Sequence, residues 1–192
     1  MTQWQGRVAL VLGTSTGGIG AHVADLARGL VAGGAEVTVC GPAETADRFD
    51  FAGAGAAFCP VEIATGASPG HARAVAALGR ALATAEPDLV HAHGLRAGVV
   101  ANLAAKRRPL VVTWHNAVIV RGLRGRASRF VERIVARAAD VTLAASQDLA
   151  ARAAALGAGD VRLAPVAAPL LPPPARSRAA VRAELRVEGD RP

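Results

Sequence analysis

A glycine-rich segment near the N-terminus has the composition of an anion-binding loop. Residues 13–18, with the sequence GTSTGG, separate an apolar run at 7–12 from a helical pattern that ends near residue 33. Backbone N–H groups at the start of a helix attract anions, and glycine lets a ligand approach the backbone closely. We therefore predict that Gly17 and Gly18 contact an anionic ligand; the alternative is a tight turn that binds nothing.

The spacing of these glycines differs from the two common nucleotide-binding motifs. A dinucleotide fingerprint needs G-x-G-x-x-G, whereas the glycines here occupy positions 13, 17, 18 and 20. A P-loop needs a Gly-Lys pair, whereas Ile19 follows Gly18. The second apolar run ends without the acidic residue that would bind a ribose, although Glu44 is near. The sequence therefore gives little support to a site for NAD or ATP.

A histidine follows one of the predicted strands. His115 comes after the apolar run 110–113 and precedes a loop, so we expect its side chain at the carboxyl edge of the sheet. A neutral imidazole donates or accepts a hydrogen bond there without leaving a buried charge. We predict a functional role for His115 rather than a mere cap on the strand end, and we expect Asn116 to orient a hydroxyl group of the ligand.

The other four histidines give weaker signals. We expect His91 and His93 to face opposite sides of one strand, an arrangement that excludes a metal site made by this pair. His91 is expected to be packed, whereas His93 is a candidate to line the site. His22 lies one turn into the first predicted helix, and His71 is expected on a helix surface. No metal site is predicted.

Apolar runs alternate with helical patterns along the chain. The runs predict strands at 8–12, 37–40, 57–63, 89–92, 110–113, 141–144 and 161–164. The patterns predict helices at 20–32, 69–85, 95–106, 126–138 and 147–156, the last capped by Ser146, and leave a short helix within 43–51 open. This alternation predicts an α/β fold, namely a Rossmann-like parallel sheet of about seven strands with helices on both faces.

The composition changes near the C-terminus. Five prolines within positions 165–174 exclude a regular helix or a central strand there. We divide the chain of 192 residues into a domain at 1–168 and a proline-rich linker with a short helix at 169–192. The turn-like ending predicts that this linker leads into a further domain.

Several features predict a cytoplasmic location. No apolar run approaches the ~18 residues of a membrane span, and no charged and then apolar leader precedes the first strand. Cys40 and Cys59 both occupy strand positions. We expect two buried thiols, which can form a disulfide only if the fold brings their strands together.

The basic residues concentrate on one predicted helix. The formal net charge is +7, and Lys106 is the only lysine, which indicates a GC-rich coding bias. Arginines at positions 126, 129, 133 and 137 span about 80° of a helical wheel, while Phe130, Val131, Ile134 and Ala138 occupy another face. We expect a solvated basic face on a helix whose apolar face packs against the core; the alternative is docking to an anionic membrane or acidic acceptor. Nucleic acid is not expected, because aromatic residues do not interleave with the basic ones.

Four segments together resemble the N-terminal half of a family 4 glycosyltransferase of the GT-B type. They are residues 16–23 (TGGIGAHV), 87–94 (PDLVHAHG), 111–116 (VVTWHN) and 139–146 (ADVTLAAS). The segments span nearly the whole chain in the family's order. One departure is Gly20, at a position where the family often has Glu or Gln.

The resemblance implies a bacterial, cytoplasmic hexosyltransferase that transfers a sugar from a nucleotide-sugar donor to an acceptor hydroxyl with retention of configuration. It implies that this half binds a small-molecule or lipid acceptor, and that a C-terminal domain absent from the sequence binds the donor. No cofactor beyond the donor is implied. The implied site has His115 as catalytic residue and Gly17 and Gly18 against the donor; its acceptor-binding residues are Asn116, Trp114, His93 and Arg121.

Two alternatives remain beside an excised domain that is inactive alone. In the first alternative, this chain is the acceptor-side subunit of a split glycosyltransferase. In the second, it is a different Rossmann-like protein, such as a non-catalytic nucleotide-binding module or a relative of sugar-nucleotide epimerases. A stop codon after residue 192 favours the first alternative, and tight binding of an isolated dinucleotide favours the second.

Overall fold

The computed structural model describes residues 5–63, 70–117, 122–166 and 174–187. Its strands are β1 (Arg7–Leu12), β2 (Glu36–Gly41), β3 (Ala57–Pro60), β4 (Leu89–His93), β5 (Leu110–Trp114), β6 (Val141–Ala144) and β7 (Val161–Leu163). Its helices are α1 (Gly18–Ala32), α2 (Ala43–Arg48), α3 (Gly70–Ala85), α4 (Leu95–Ala104), α5 (Gly122–Ala138), α6 (Gln147–Ala155) and α7 (Arg178–Glu184). The seven strands form one parallel sheet in the order β3-β2-β1-β4-β5-β6-β7, which confirms the predicted α/β fold.

The strand order reverses at the centre of the sheet. The chain runs outward from β1 through β2 to β3, and then returns to place β4 on the other side of β1. Register pairs Leu12 with His93 across β1 and β4, and His93 with Thr113 across β4 and β5. Ligands of open α/β sheets bind beyond the carboxyl ends of the strands at such a reversal.

Helices cover both faces of the sheet, as predicted. On one face, Val23 of α1 packs in a cluster with Leu10 of β1. On the other face, Leu78 of α3 and Val100 of α4 pack in a cluster with Val11 of β1. Successive residues of a strand face opposite sides, so a strand covered on both faces needs a continuous apolar run. The sequence of β1 provides that run.

Several element boundaries differ from the sequence prediction. β3 ends at Pro60 rather than near residue 63, because its partner β2 ends at Gly41 and the N–H of Val61 makes the last bond to that strand (2.8 Å). α5 begins at Gly122, about one turn before the predicted start. Ser146 is the N-cap residue of α6, but its hydroxyl donates to the Asp148 carboxylate instead of accepting from the helix backbone.

The fold brings the two cysteines together. Cys40 of β2 and Cys59 of β3 lie directly opposite each other in the paired strands, and both thiols are free. Burial, together with the neighbouring Cys59, raises the pKa of Cys40 to about 12. Cys59 is only partly buried, so the prediction of two buried thiols is correct for Cys40 alone.

α5 packs on a different face from the one its apolar residues predict. Phe130 is 64% exposed and Ile134 is 39% exposed, whereas Glu132 and Val135 are buried. The prediction that the apolar face packs inward was therefore wrong. The face that packs inward contributes Val135 and Ala136 to the apolar core, and its carboxylate, Glu132, is satisfied by an ion pair with Arg152 of α6 at 2.7 Å.

Candidate active site

The candidate site lies where β1, β4 and β5 end beside the start of α1. His93 is the last residue of β4, and His115 follows the last residue of β5. Gly17 is the N-cap residue of α1. Because these strands are parallel and adjacent, their carboxyl ends bring the glycine loop and both histidines to one edge of the sheet.

The glycine loop is open on its outer side. Gly17 and Gly18 are exposed, and a Cβ atom added to either would meet nothing within 4 Å. The N-cap residue Gly17 has no side chain to cap α1, and the first turn of the helix contains no acidic residue. Ser15 braces the loop, because its Oγ accepts a hydrogen bond from the N–H of Gly20 at 2.9 Å. The loop is therefore held in place while its outer face stays accessible to an anion.

Gly20 is a packing requirement rather than part of the site surface. A Cβ atom at this position would lie 2.1 Å from Cε2 of Phe49. The ring of Phe49 therefore occupies the space that a longer side chain at position 20 would need. This contact gives a structural reason for the departure at Gly20 from the Glu or Gln of the resembling family.

Four of the five histidines form a cluster, which we call the histidine cluster: His22, His91, His93 and His115. The ring centroids of His91 and His93 are 4.2 Å apart, and those of His93 and His115 are 5.5 Å apart. His22 of α1 lies edge-on to both His93 and His115, at 5.6 and 5.5 Å. The cluster therefore joins α1, β4 and β5.

The expectation that His91 and His93 face opposite sides of β4 was wrong. Residues two apart on a strand point to the same face, and the two rings are accordingly in contact. They lie on the α1 face, because they pair in register with Leu10 and Leu12. This spacing was a usable sequence signal for the cluster, and it was misread.

Two hydrogen bonds hold three of the four rings. Nε2 of His91 lies 2.7 Å from Oγ1 of Thr113, and both residues are buried. Nδ1 of His93 lies 3.3 Å from Nε2 of His115. The Nε2 atom of His93 is buried and has no hydrogen-bond partner among the residues described. The rings of His91, His93 and His115 are therefore held by bonds between residues of β4 and residues at the end of β5.

Burial keeps the cluster neutral. Burial, together with the neighbouring histidines, lowers the pKa of His91 and of His115 to about 4. Burial also lowers the pKa of His93 well below its ordinary value, and that of His22 in the same direction, although Asp25 opposes the shift at His22. At neutral pH the four imidazoles therefore act as hydrogen-bonding groups without charge.

The remaining predicted site residues occupy different environments. Asn116 is exposed next to His115. Trp114 is only 3% exposed, and it packs in the apolar cluster on the side of the sheet covered by α3 and α4. The structure therefore does not bring the Trp114 side chain together with the histidines. Arg121 lies outside the described residues.

No group of three histidine, cysteine or acidic side chains in the described parts of the chain has the arrangement needed to hold a metal ion. His22 and His91 were not predicted as members of the site. The position of His22 depends on the packing of α1 over β4 and β5, which a local sequence pattern does not contain.

Comparisons with known proteins agree with this architecture. A family model described as "Glycosyl transferase 4-like domain" matches residues 17–169. The crystal structure of Anabaena HepE in complex with UDP and glucose is 19% identical, with a TM-score of 0.70 over 95% of this chain and 51% of that chain. Sucrose-phosphate synthase from Thermosynechococcus elongatus is 18% identical, with a TM-score of 0.71 over 98% of this chain and 54% of that chain.

MurG from Acinetobacter baumannii is also similar, with 16% identity and a TM-score of 0.62 over 97% of this chain and 50% of that chain. The chain thus spans about half the length of each of these structures. No protein in a search of curated proteins matches it. The structural likeness establishes the fold, and the family match covers most of the chain, so this chain belongs to the glycosyl transferase 4-like domain family.

Proposed function

We propose that this chain is the acceptor-binding half of a retaining hexosyltransferase, which transfers a sugar from a nucleotide-sugar donor to an acceptor hydroxyl. The observation that carries the proposal is the neutral histidine cluster beside an exposed, glycine-rich helix N-terminus in a chain of this family. Anabaena HepE, which has a similar fold, was crystallised with UDP-glucose. The donor is a substrate in this proposal, and no cofactor or metal is assigned.

Each part of the site has a distinct role in the proposal. Backbone N–H groups at Gly17 and Gly18 stabilise the negative charge that develops on the departing diphosphate. His115, the catalytic residue of the proposal, contacts the donor sugar through a neutral imidazole. The acceptor is bound by the exposed Asn116 and by residues around it, with Arg121 as a further assignment. Trp114 and His93 are buried, and Trp114 packs on the other side of the sheet, so neither is assigned a direct contact with the acceptor.

Turnover in this proposal needs a donor-binding domain. The chain spans about half of the similar glycosyltransferase structures, and the site has one wall, made by the carboxyl edge of a single sheet. We expect the chain alone to be inactive. The coding sequence after residue 192 decides between a second domain on the same polypeptide and a separate donor-side subunit.

The test is His115→Ala in the protein that contains this chain together with its donor-binding domain. We expect kcat to fall by roughly 100-fold or more, in line with the loss of a positioned catalytic side chain. His71→Ala is the matched control, and circular dichroism checks that both variants fold. Near-normal turnover by His115→Ala would remove His115 from the mechanism, and tight dinucleotide binding by the isolated chain would favour a nucleotide-binding module instead.

A second proposal concerns location: the chain docks to the inner face of the cytoplasmic membrane through the outer face of α5. No described helix has both the length and the apolar character to cross a bilayer, so this contact is peripheral. The arginines of α5 at positions 126, 129, 133 and 137 are exposed, and none of these four forms an ion pair with another described residue. Phe130 and Ile134 are exposed beside them, and the helix's one acidic residue, Glu132, is buried.

This combination favours an anionic lipid surface over plain solvent exposure. Arginines attract anionic headgroups, while exposed apolar side chains enter the boundary of the acyl chains. Phe130 and Ile134 lie one turn apart, 64% and 39% exposed, so the apolar surface beside the arginines comes from two neighbouring side chains rather than one. Docking here would hold the acceptor-binding half close to a lipid acceptor.

Sedimentation with vesicles tests the docking. We expect binding to phosphatidylglycerol vesicles at low salt, weak binding to phosphatidylcholine vesicles, and release at high salt. Arg129→Ala with Arg133→Ala removes about 1 kcal/mol of binding free energy for each arginine. Leu103→Ser is the control, because it removes an exposed apolar side chain from α4 rather than α5. We expect it to leave vesicle binding unchanged. Equal recovery with both vesicle types, or with neither, contradicts the proposal.

A further inference from the structure

We infer that His93 is a positioning residue: its Nδ1–H donates to Nε2 of His115 and holds His115 in the tautomer that carries its proton on Nδ1. The consequence for the site is that His115 offers a hydrogen-bond donor, not an acceptor, to a ligand. The tautomer of His115 can be observed in this chain alone, whereas the role that it has in catalysis rests on the proposed function.

The rings of His93 and His115 lie close enough for this hydrogen bond. Nδ1 of His93 and Nε2 of His115 are 3.3 Å apart, and the planes of the two rings differ by 26°. His93 is 3% exposed, so water does not compete freely for its Nδ1 atom. Since His115 uses Nε2 in this contact, its Nδ1 is the nitrogen left for a ligand.

The unpaired atom of His93 decides which ring donates. A neutral imidazole carries one proton, either on Nδ1 or on Nε2. If His93 carried it on Nε2, a fully buried N–H group would lack an acceptor among the described residues. If His93 carries it on Nδ1, the unpaired atom is a lone pair. Buried N–H groups without a partner are rarer than under-satisfied acceptors, so the Nδ1–H form of His93 is favoured.

The rings of His91 and His22 enclose the ring of His93. The ring of His91 lies 4.2 Å from that of His93 and is itself bonded to Thr113 at 2.7 Å. The edge of the His22 ring covers His93 from α1. A flip of the His93 ring would exchange its Nδ1 and Cδ2 positions and would place a carbon against His115. The flipped ring has nearly the same shape, so it is the hydrogen bond to His115 that favours the present orientation.

The inference changes the chemistry assigned to His115. With its proton on Nδ1 and with Nε2 occupied, His115 cannot accept a proton from an acceptor hydroxyl at the free nitrogen. It donates instead to an oxygen of the ligand, such as a sugar hydroxyl or a phosphate oxygen. His115 is then an electrostatic and orienting group rather than a general base.

NMR of the isolated chain tests the tautomer without any need for turnover. The chain is labelled with ¹⁵N at histidine, and long-range ¹H–¹⁵N correlations at pH 7.5 distinguish the protonated from the unprotonated ring nitrogen. Each of the five histidines is assigned by its own His→Gln variant. We expect His115 to carry its proton on Nδ1. A proton on Nε2 of His115 overturns the inference.

Variants of His93 test the cause. His93→Leu removes the donor, so we expect His115 to change from one tautomer to a mixture of two, whereas His71→Gln leaves the pattern unchanged. If His93→Leu does not fold, His93→Gln retains an amide N–H, and we expect it to preserve the Nδ1-protonated form. An unchanged His115 pattern in a folded His93→Leu chain contradicts the positioning role.

Activity separates this inference from the proposed function. In the protein with its donor-binding domain, we expect His93→Leu to lower kcat more than it changes KM, and His93→Gln to restore part of kcat. If the NMR pattern is as expected but His115→Ala turns over normally, the proposed function fails and the tautomer stands. If His115→Ala is inactive but His115 carries its proton on Nε2, the tautomer fails and the function stands.

Discussion

The histidine cluster and the outer face of α5 are two concentrations of ionisable side chains with opposite character. The histidines are packed at the centre of the sheet edge, and burial lowers their pKa values so that they stay neutral. The arginines of α5 at positions 126, 129, 133 and 137 are instead exposed. The same protein thus uses burial to make hydrogen-bonding groups of fixed orientation, and exposure to keep a charged surface.

Acidification should destabilise the folded chain through the histidine cluster, and this is the largest effect that we expect. His91 has a pKa of about 4 in the folded chain and about 6.5 when unfolded, so the unfolded chain binds protons first as pH falls. The contribution of neutral His91 to the free energy of unfolding is therefore fully present above pH 6.5, and it is lost progressively as the pH falls towards 4. At about 1.4 kcal/mol per pKa unit, His91 alone lowers the free energy of unfolding by roughly 3 kcal/mol at pH 4.

Urea denaturation at a series of pH values between 7.5 and 4 measures this effect. His91→Gln retains a hydrogen-bonding side chain without the titration, so we expect it to flatten the pH dependence, although it lowers stability at pH 7.5. His71→Gln should keep the wild-type dependence. A free energy of unfolding that is constant from pH 6.5 to 4 contradicts the neutral cluster.

The buried and exposed sides of α5 provide the next test. Glu132→Ala leaves Arg152 without its partner and removes a buried side chain, so we expect about 2–3 kcal/mol of destabilisation. This value is below that of a fully buried pair because the Arg152 side chain is 31% exposed. Arg133→Ala, on the exposed side of the same helix, should change stability by less than about 0.5 kcal/mol. Equal losses in the two variants would remove the distinction between the two faces.

Two glycines of α1 make a matched pair with a smaller effect. Gly20→Ala places a methyl group against the Phe49 ring, and we expect about 1–2 kcal/mol of destabilisation from overpacking. Gly29→Ala has no atom within 4 Å, so it should stabilise the helix by about 0.5–1 kcal/mol. Thermal unfolding of the two variants should give shifts of opposite sign. Stabilisation by both alanines would show that Phe49 moves aside freely.

The sequence predicted the features that depend on local pattern. The alternation of apolar runs with helices established the parallel sheet, and the end of β5 placed His115 at its carboxyl edge. Contacts between distant elements were not accessible in this way. The Phe49 ring meets Gly20 across the fold, and the carboxylate of Glu132 on the inward face of α5 pairs with Arg152 of α6. A helical wheel locates apolar residues but does not contain the partner that stabilises a buried carboxylate.

The reversal of strand order at β1 also sets an order of assembly during folding. Val8 pairs with Val37 of β2, and on its other side with Leu89 of β4, much farther along the chain. The bond from the N–H of Arg7 to Asp88 spans 81 residues. The entropy of closing the longer loop exceeds that of the shorter one by about 1 kcal/mol, so we expect β1 and β2 to pair first. The ring contacts among His22, His93 and His115 then form late, and their appearance reports the completion of the central sheet.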